Sequence, residues 1–263
     1  MYCAAAPELI YIKLRASAPP IMHNMIHSFR GCRDVYRDND STGRLLAGLA
    51  LFAGLEDAEV RRWAGLATEF RAPRGAVVFR QGAPCTGLLV VVEGQIKLAL
   101  QNAHGDEKVI DLVGPGSSFG ETALLLGEPH DMVAEAIADS VLILFGRDAV
   151  LEEIQRNAGF SGRMLQAVCR SLAQRTQDLE SVTLHSGAQR VTAYLLSQLP
   201  DGVNGAPVAI RLPAKKSIIA SRLNLTQEHF SRILHEIQAA GLVEIRGREI
   251  RLLDVGRLRT YPA

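Results

Sequence analysis

Along residues 215–253 the apolar positions Phe230, Ile233, Leu234 and Ile237 recur at i, i+3, i+4 and i+7, the spacing of one helical stripe turned to a core. Glu228, Ser231, Arg232 and His235 repeat that spacing on the polar face. Thr226 stands where an N-cap hydroxyl accepts from free backbone N–H groups, and Gly241 marks the helix end. Upstream, Ile218, Ile219 and Leu223 form the packing face of a first helix, and the small Ala220 permits close approach of the pair. Downstream, Val243, Glu244 and Ile245, then Ile250, Arg251 and Leu252, alternate in polarity around Arg246, Gly247 and Arg248, predicting a hairpin with two cations at its tip. A helix pair followed by a two-strand wing, with its polar stripe starting at a capped helix end, is a form in which side chains are presented to DNA base edges. The plainer alternative is a helix pair whose polar face is simply solvated.

Residues 60–147 carry a different period. VVFRQG, LLVVVEG, QIKLAL, KVIDLVGPGSSFGE and SVLILF are short β patterns punctuated by glycine, and together they predict a small β-barrel or roll. Ahead of them Leu45, Leu46, Leu49, Phe52, Leu55, Val60, Trp63 and Leu66 follow a helical pattern. Between the β-rich part and the helix pair, Leu165, Val168, Leu172, Arg175, Leu179 and Val182 alternate steps of 3 and 4, the seam of a coiled-coil dimer helix with a charge intruding at Arg175. The same seam fits one helix packed on its own domain. His185, Ser186 and Gly187 read as the joint that follows.

With 263 residues, 48% of them hydrophobic, the chain can furnish two domains with separate cores. Its formal charge of +1 hides an asymmetry: residues 186–263 hold 11 Lys and Arg against 6 Asp and Glu, net +5, and the remainder holds 18 against 22, net −4. A basic C-terminal module suits neutralisation of DNA phosphates and disfavours the solvated-helix alternative. No Ser/His/Asp arrangement, P-loop or metal-ligand cluster stands at usable spacing, so an enzyme is not expected. Residues 1–22 are apolar in places but broken by Glu8, Lys13 and Arg15, without the long apolar run of a signal peptide or membrane span. Residues 1–40 read as a disordered or mis-started extension, charged over 31–40, with Met22 and Met25 as alternative starts.

The run Glu228-x-x-Ser231-Arg232 resembles the recognition helix of the FNR-type branch of the CRP/FNR superfamily of bacterial transcription regulators, and the order of parts over residues 51–258 is similar to that superfamily. The resemblance implies an α+β fold. A cyclic-nucleotide-binding-type β-roll with leading helices would span residues 41–147, a helical dimerisation segment and hinge 148–185, and a winged helix-turn-helix 186–263. It further implies a cytoplasmic homodimer, most often an activator, whose partners are double-stranded DNA and RNA polymerase, with no membrane. Glu228, Ser231 and Arg232 would read a TTGAT half-site of an inverted repeat, since Arg can fork onto guanine O6/N7 and Glu can accept from cytosine N4. Lys215, Lys216, Thr226, Gln227, His235, Arg246 and Arg248 would make backbone or flanking contacts.

Cyclic-nucleotide binders of this superfamily carry a Gly-Glu followed further on by an Arg that holds the phosphate. Here Gly120-Glu121 is followed by Pro129, His130, Asp131 and Met132, with no Arg between Phe119 and Phe145, so cyclic AMP is not expected. Cys3, Cys32, Cys85 and Cys169 lie far apart and form no C-x-x-C, which speaks against an iron–sulfur cluster and fits a reducing compartment. What remains is similar to the Dnr-type regulators of denitrification, for which nitric oxide sensing through haem b is implied; an effector-independent FixK-like regulator is the other branch. An effector pocket is expected at Phe119, Gly120, Glu121, Leu124, Leu125 and His130, with the apolar residues 122–126 in its wall. His130 is the first candidate haem ligand, with His104 and His185 behind it, and a solvated loop histidine after Pro129 is the simpler reading.

Overall fold

A computed structural model describes residues 33–34, 39–200 and 207–261. Helix α1 (Asn39–Ala47), a 3-10 turn at Ala50–Phe52 and helix α2 (Asp57–Leu66) lead into the β-rich part. The backbone N–H of Glu56 donates to Glu59 Oε2 at 3.1 Å, which settles one free donor at the start of α2.

The roll consists of β1 (Arg33–Asp34), β2 (Ala67–Ala72), β3 (Val77–Phe79), β4 (Gly87–Glu93), β5 (Ile96–Gln101), β6 (Glu107–Val113), β7 (Ser118–Phe119), β8 (Val133–Ala136) and β9 (Ser140–Gly146), with helix α3 (Glu121–Leu126) after β7. One sheet runs β1-β2-β9-β4-β7 and the other β3-β8-β5-β6, so β6 is an edge. Phe70, Leu89, Phe119 and Leu142 of the first sheet share a core with Val78, Ile96, Leu98 and Ala134 of the second. At Gly87 the strands approach so closely that a Cβ would lie 2.0 Å from the Phe145 carbonyl oxygen.

Of residues 31–40, expected to be disordered, the four that are described, 33–34 and 39–40, lie in regular structure. Arg33–Asp34 pairs with Arg71 and Phe70 on the otherwise open edge of β2, and α1 begins at Asn39. Strand pairing to a waiting edge is a long-range gain that a charge pattern does not reveal. The rest of the expected N-terminal extension lies outside the described residues.

A second core joins the leading helices to the roll. The Trp63 ring stacks on Phe160 at 5.2 Å and meets Phe145 edge-on at 5.0 Å, pairs worth about 0.5–1.5 kcal/mol each beyond their buried area. Phe160 belongs to α5 (Ala158–Leu184), which follows α4 (Arg147–Arg156). The helical segment expected over 148–185 is therefore two helices, broken at Asn157. That residue caps α5 by accepting from Phe160 N at 3.0 Å, and its amide donates to Glu59 at 2.7 Å and Glu153 at 3.0 Å.

The C-terminal part contains α6 (Gly187–Ser197), β10 (Val208–Arg211), α7 (Lys216–Arg222), α8 (Gln227–Ala239), β11 (Val243–Arg246), β12 (Glu249–Leu252) and α9 (Val255–Arg259). Ser186 starts α6 with a reciprocal box: its hydroxyl accepts from Gln189 N at 3.2 Å, and its N–H donates to Gln189 Oε1 at 2.8 Å. The wing has three strands rather than the expected two, because β10 pairs with β12 along its free side.

Candidate nucleic-acid interface and sensory cavity

Helix α8 is fixed from its buried side. Phe230, Ile233, Leu234 and Ile237 are all at most 2% exposed and pack with Val191, Leu195, Ile219 and Ile250. Thr226 caps the helix, its Oγ1 accepting from His229 N at 3.2 Å. The turn between α7 and α8 runs through Asn224 at φ 55°, a left-handed conformation that Asn tolerates better than most residues, and Leu225 N donates to Ala220 O at 2.9 Å. Gly187 brings the start of α6 against the pair: a Cβ there would meet Leu225, Ile233 and His229 at 3.1–3.3 Å.

The opposite side of α8 faces water. Gln227, Glu228, Arg232 and His235 are exposed and Ser231 is half-buried. Arg232 Nε lies 3.8 Å from Glu236 Oε1, an exposed pair that restrains it weakly. Lys215 is exposed and Lys216 half-buried at the start of α7. At the wing tip Gly247 adopts φ 63°, and both flanking cations are exposed. Arg246 is already engaged by Glu244, Nη2 to Oε1 at 2.7 Å, and that carboxylate raises its pKa.

A cavity of about 780 Å³ lies between the roll and α5. Phe79, Val90, Leu98, Phe119 and Met132 give it apolar walls, and Glu121, Asp131, Arg163, Arg170 and Arg175 give it charge. Of the residues expected in the pocket, Phe119, Gly120, Glu121 and His130 line it, but Leu124 and Leu125 do not. The helical turn of α3 sends Leu124 into the core beside Trp63 and leaves Leu125 41% exposed.

His130 is not a solvated loop residue. It is 5% exposed, its ring lies parallel to Phe79 at 3.6 Å, and its backbone bonds to Ala83 O at 2.9 Å and Gly82 N at 2.7 Å. Burial pulls its pKa below the ordinary imidazole value, with Asp131 opposing. His104, in the β5–β6 turn, and His185, at the end of α5, are exposed and line no part of the cavity. Burial raises the Glu121 pKa against a hydrogen bond from Ser118. Arg163 donates through Nε to Leu51 O at 2.8 Å, and its Nη2 is buried with no hydrogen-bond partner among the described residues. The cations of this cavity come from α5, so inspection of the stretch after Gly120 misses them.

The seam of α5 separates into two faces. Leu165, Leu172, Leu179 and Val182 are 38–67% exposed along the outside. Val168 is half-buried and turns to the cavity. Arg175 leaves the seam altogether: Nη1 donates to Ile110 O at 3.0 Å and Nη2 lies 3.1 Å from Asp111 Oδ2. Among the described residues no group of three or more His, Cys, Asp or Glu is placed to hold a metal ion, and no helix is long and apolar enough to cross a membrane.

Comparison with known proteins agrees with this architecture. Residues 69–157 match the cyclic nucleotide-binding domain family, and residues 189–261 match the Crp-like helix-turn-helix domain family. The cyclic AMP receptor protein of Thermus thermophilus is 28% identical over 214 residues, 80% of this chain and 97% of that protein. The nitrogen fixation regulation protein FixK of Bradyrhizobium diazoefficiens is 25% identical over 216 residues, 81% of this chain and 90% of that protein. The solved structure of FixK2 from Bradyrhizobium japonicum has the same fold, with a TM-score of 0.67 at 24% identity, covering 75% of this chain and 98% of that one. A β-roll of the cyclic-nucleotide-binding kind, a long helix and a Crp-like helix-turn-helix thus follow one another in order, and the chain belongs to the CRP/FNR family of transcription regulators, which are DNA-binding proteins and not enzymes.

Proposed function

We propose that the protein is a cytoplasmic, homodimeric activator that binds a TTGAT-type inverted repeat, contacts RNA polymerase there and answers to an effector in the cavity beside α5. The observation that carries this reading is the polar stripe Glu228, Ser231 and Arg232 beginning at the capped end of α8 and backed by four buried apolar residues. Arg232 offers a bidentate fork to guanine and Glu228 an acceptor to cytosine, each worth about 1–3 kcal/mol of discrimination. The outward leucines of α5 support a dimer, which an inverted repeat requires.

The effector proposed is nitric oxide, received on haem b. His130, whose pKa burial lowers, would hold the haem iron from the cavity wall, and the buried, unpartnered Nη2 of Arg163 would meet a haem carboxylate. When bound, the haem supplies the iron at which a diatomic gas coordinates. Cyclic AMP is disfavoured because Asp131, an anion lining the cavity, stands near the place of the family's phosphate arginine.

A second reading, an effector-independent FixK-like regulator, is favoured by the open reading face of α8, which nothing in the described chain covers. A gel-shift series on a TTGAT repeat and its scrambled counterpart tests the base readers, and equal affinities would remove them. An absorption spectrum with added haem, with and without nitric oxide, decides between the branches: an unchanged Soret band leaves the effector-independent one.

A further inference from the structure

The reading domain is not tied to the sensory domain by the joint at His185 alone. The first helix of its reading pair, α7, rests on β6, the edge strand of the roll. Val109 N donates to Ser221 Oγ at 3.0 Å, and the Lys108 ammonium donates to the Ser221 carbonyl. From the side, Arg222 at the end of α7 pairs with Asp178 of α5 at 2.9 Å, and both side chains are largely buried. Leu112 of β6 packs against the hydrophobic core of the reading domain.

The same strand walls the cavity. Asp111, Leu112 and Val113 line it, and Asp111 with the Ile110 carbonyl holds Arg175, another lining residue. Residues 108–113 therefore touch the reading domain and the cavity on consecutive positions, and Leu112 touches both. The outward backbone groups of an edge strand need partners. Here Val109 N finds one in α7 and Ile110 O finds one in α5, so three elements meet at one strand.

We propose that β6 is a direct strut between cavity and reading domain: Arg175 on Asp111 is its input contact, and Ser221 with the Arg222–Asp178 pair is its output contact, which fixes the orientation of α8. The output contact leaves Glu228 and Arg232 exposed, so it orients the reader without covering it. An oriented reader gives up less freedom when both heads of a dimer engage one duplex, and affinity gains accordingly. Like charges meet at this contact too: burial and then Arg222 and Arg190 lower the pKa of Lys108, with Asp178 opposing. A ligand that draws Arg175 away from Asp111 pulls on the strand that seats α7.

This inference rests on the DNA-binding reading for its function but not for its geometry, and two measurements separate them. Amide hydrogen exchange on the full chain without DNA reads the seat: Ser221→Ala should speed exchange at Val109 by about tenfold or more while β4 and β9 keep their protection. Val109 exchanging as fast in the unaltered chain as in Ser221→Ala would overturn the strut. On a TTGAT repeat, Asp178→Arg should weaken binding about fivefold, equivalent to ~1 kcal/mol, with dimer mass unchanged by sedimentation, and adding Arg222→Asp should restore it. Equal operator affinity in the single and double variants would equally overturn the output contact. Failure of the unaltered chain to prefer the repeat over scrambled DNA would instead remove the assigned base readers, leaving the exchange result to stand on its own.

Discussion

The imidazole of His130 lies flat on the ring of Phe79, the centroids 3.6 Å apart and the planes 4° from parallel. The contact closes one wall of the cavity and makes the neutral ring the stable one, since a charged imidazole there would be poorly solvated. With its folded pKa below 6.5, the unfolded chain takes up a proton first as pH falls, so this residue's share of stability is full above 6.5 and declines below it. His130→Phe keeps the stack and removes the titration. Thermal melts between about pH 7 and pH 5 should show a shallower decline in the variant than in the parent chain.

Glu121 has the opposite sign. Burial raises its pKa above 4.5, so the folded chain holds the proton longer than the unfolded one. Its contribution is complete below 4.5 and is lost as pH rises through the folded value. Glu121→Gln should therefore melt higher than the parent at neutral pH, and the difference should vanish in acid.

Phe230 and Arg232 lie two positions apart on α8 and should fail differently. Phe230→Ala opens a cavity in the reading domain and costs about 3–5 kcal/mol, so both specific and non-specific DNA binding fall with the fold. Arg232→Ala leaves the melt unchanged and weakens only the specific site, by about 1–3 kcal/mol. Binding to operator and random duplex, measured beside circular dichroism, separates the two.

Leu172 is 67% exposed, so Leu172→Asp costs the isolated chain little. In the dimer it places a charge on the seam, and sedimentation should find a monomer that no longer holds an inverted repeat. An unchanged dimer mass would show that the subunits meet elsewhere.

Glu153 is 1% exposed and accepts from Arg62, from Arg156 at 2.9 Å and from Asn157 at 3.0 Å. Burial alone would raise its pKa, but these donors lower it below 4.5, so its stabilisation is present above that value and lost on acidification. Glu153→Ala leaves Arg62 and Arg156 partly solvated, so it should cost about 1–3 kcal/mol and loosen α4 and α5 from α2, seen as faster exchange at the start of α5.

The reading helix was legible because its determinants are local: a period of apolar residues, a capping hydroxyl and a terminal glycine all lie within one short run. The cavity was only half legible. Phe119, Gly120, Glu121 and His130 are near in sequence, whereas the cations Arg163, Arg170 and Arg175 arrive from a helix that chain order places much later. Leu125 looked like a wall residue because its apolarity is visible and its direction is not. His130 looked solvated because its neighbours are Pro129 and Asp131, yet a strand far upstream brings Phe79 beneath it. Arg175 stood out as a flaw in a seam; the partner that explains it, Asp111, lies on a strand more than sixty residues earlier. Strand β10 escaped notice because its pairing partner β12 follows both helices of the reader.

Leu172 belongs at once to the outer seam of α5 and to the lining of the cavity, where Val168 lies beside it. A ligand that shifted Leu172 from the cavity side would shift it on the seam as well, and a coupling of that kind is reciprocal in binding free energy. Under the proposed function the amount of the protein would then be a variable of its sensitivity: the same ligand level would be read differently by a dilute chain and by a concentrated one.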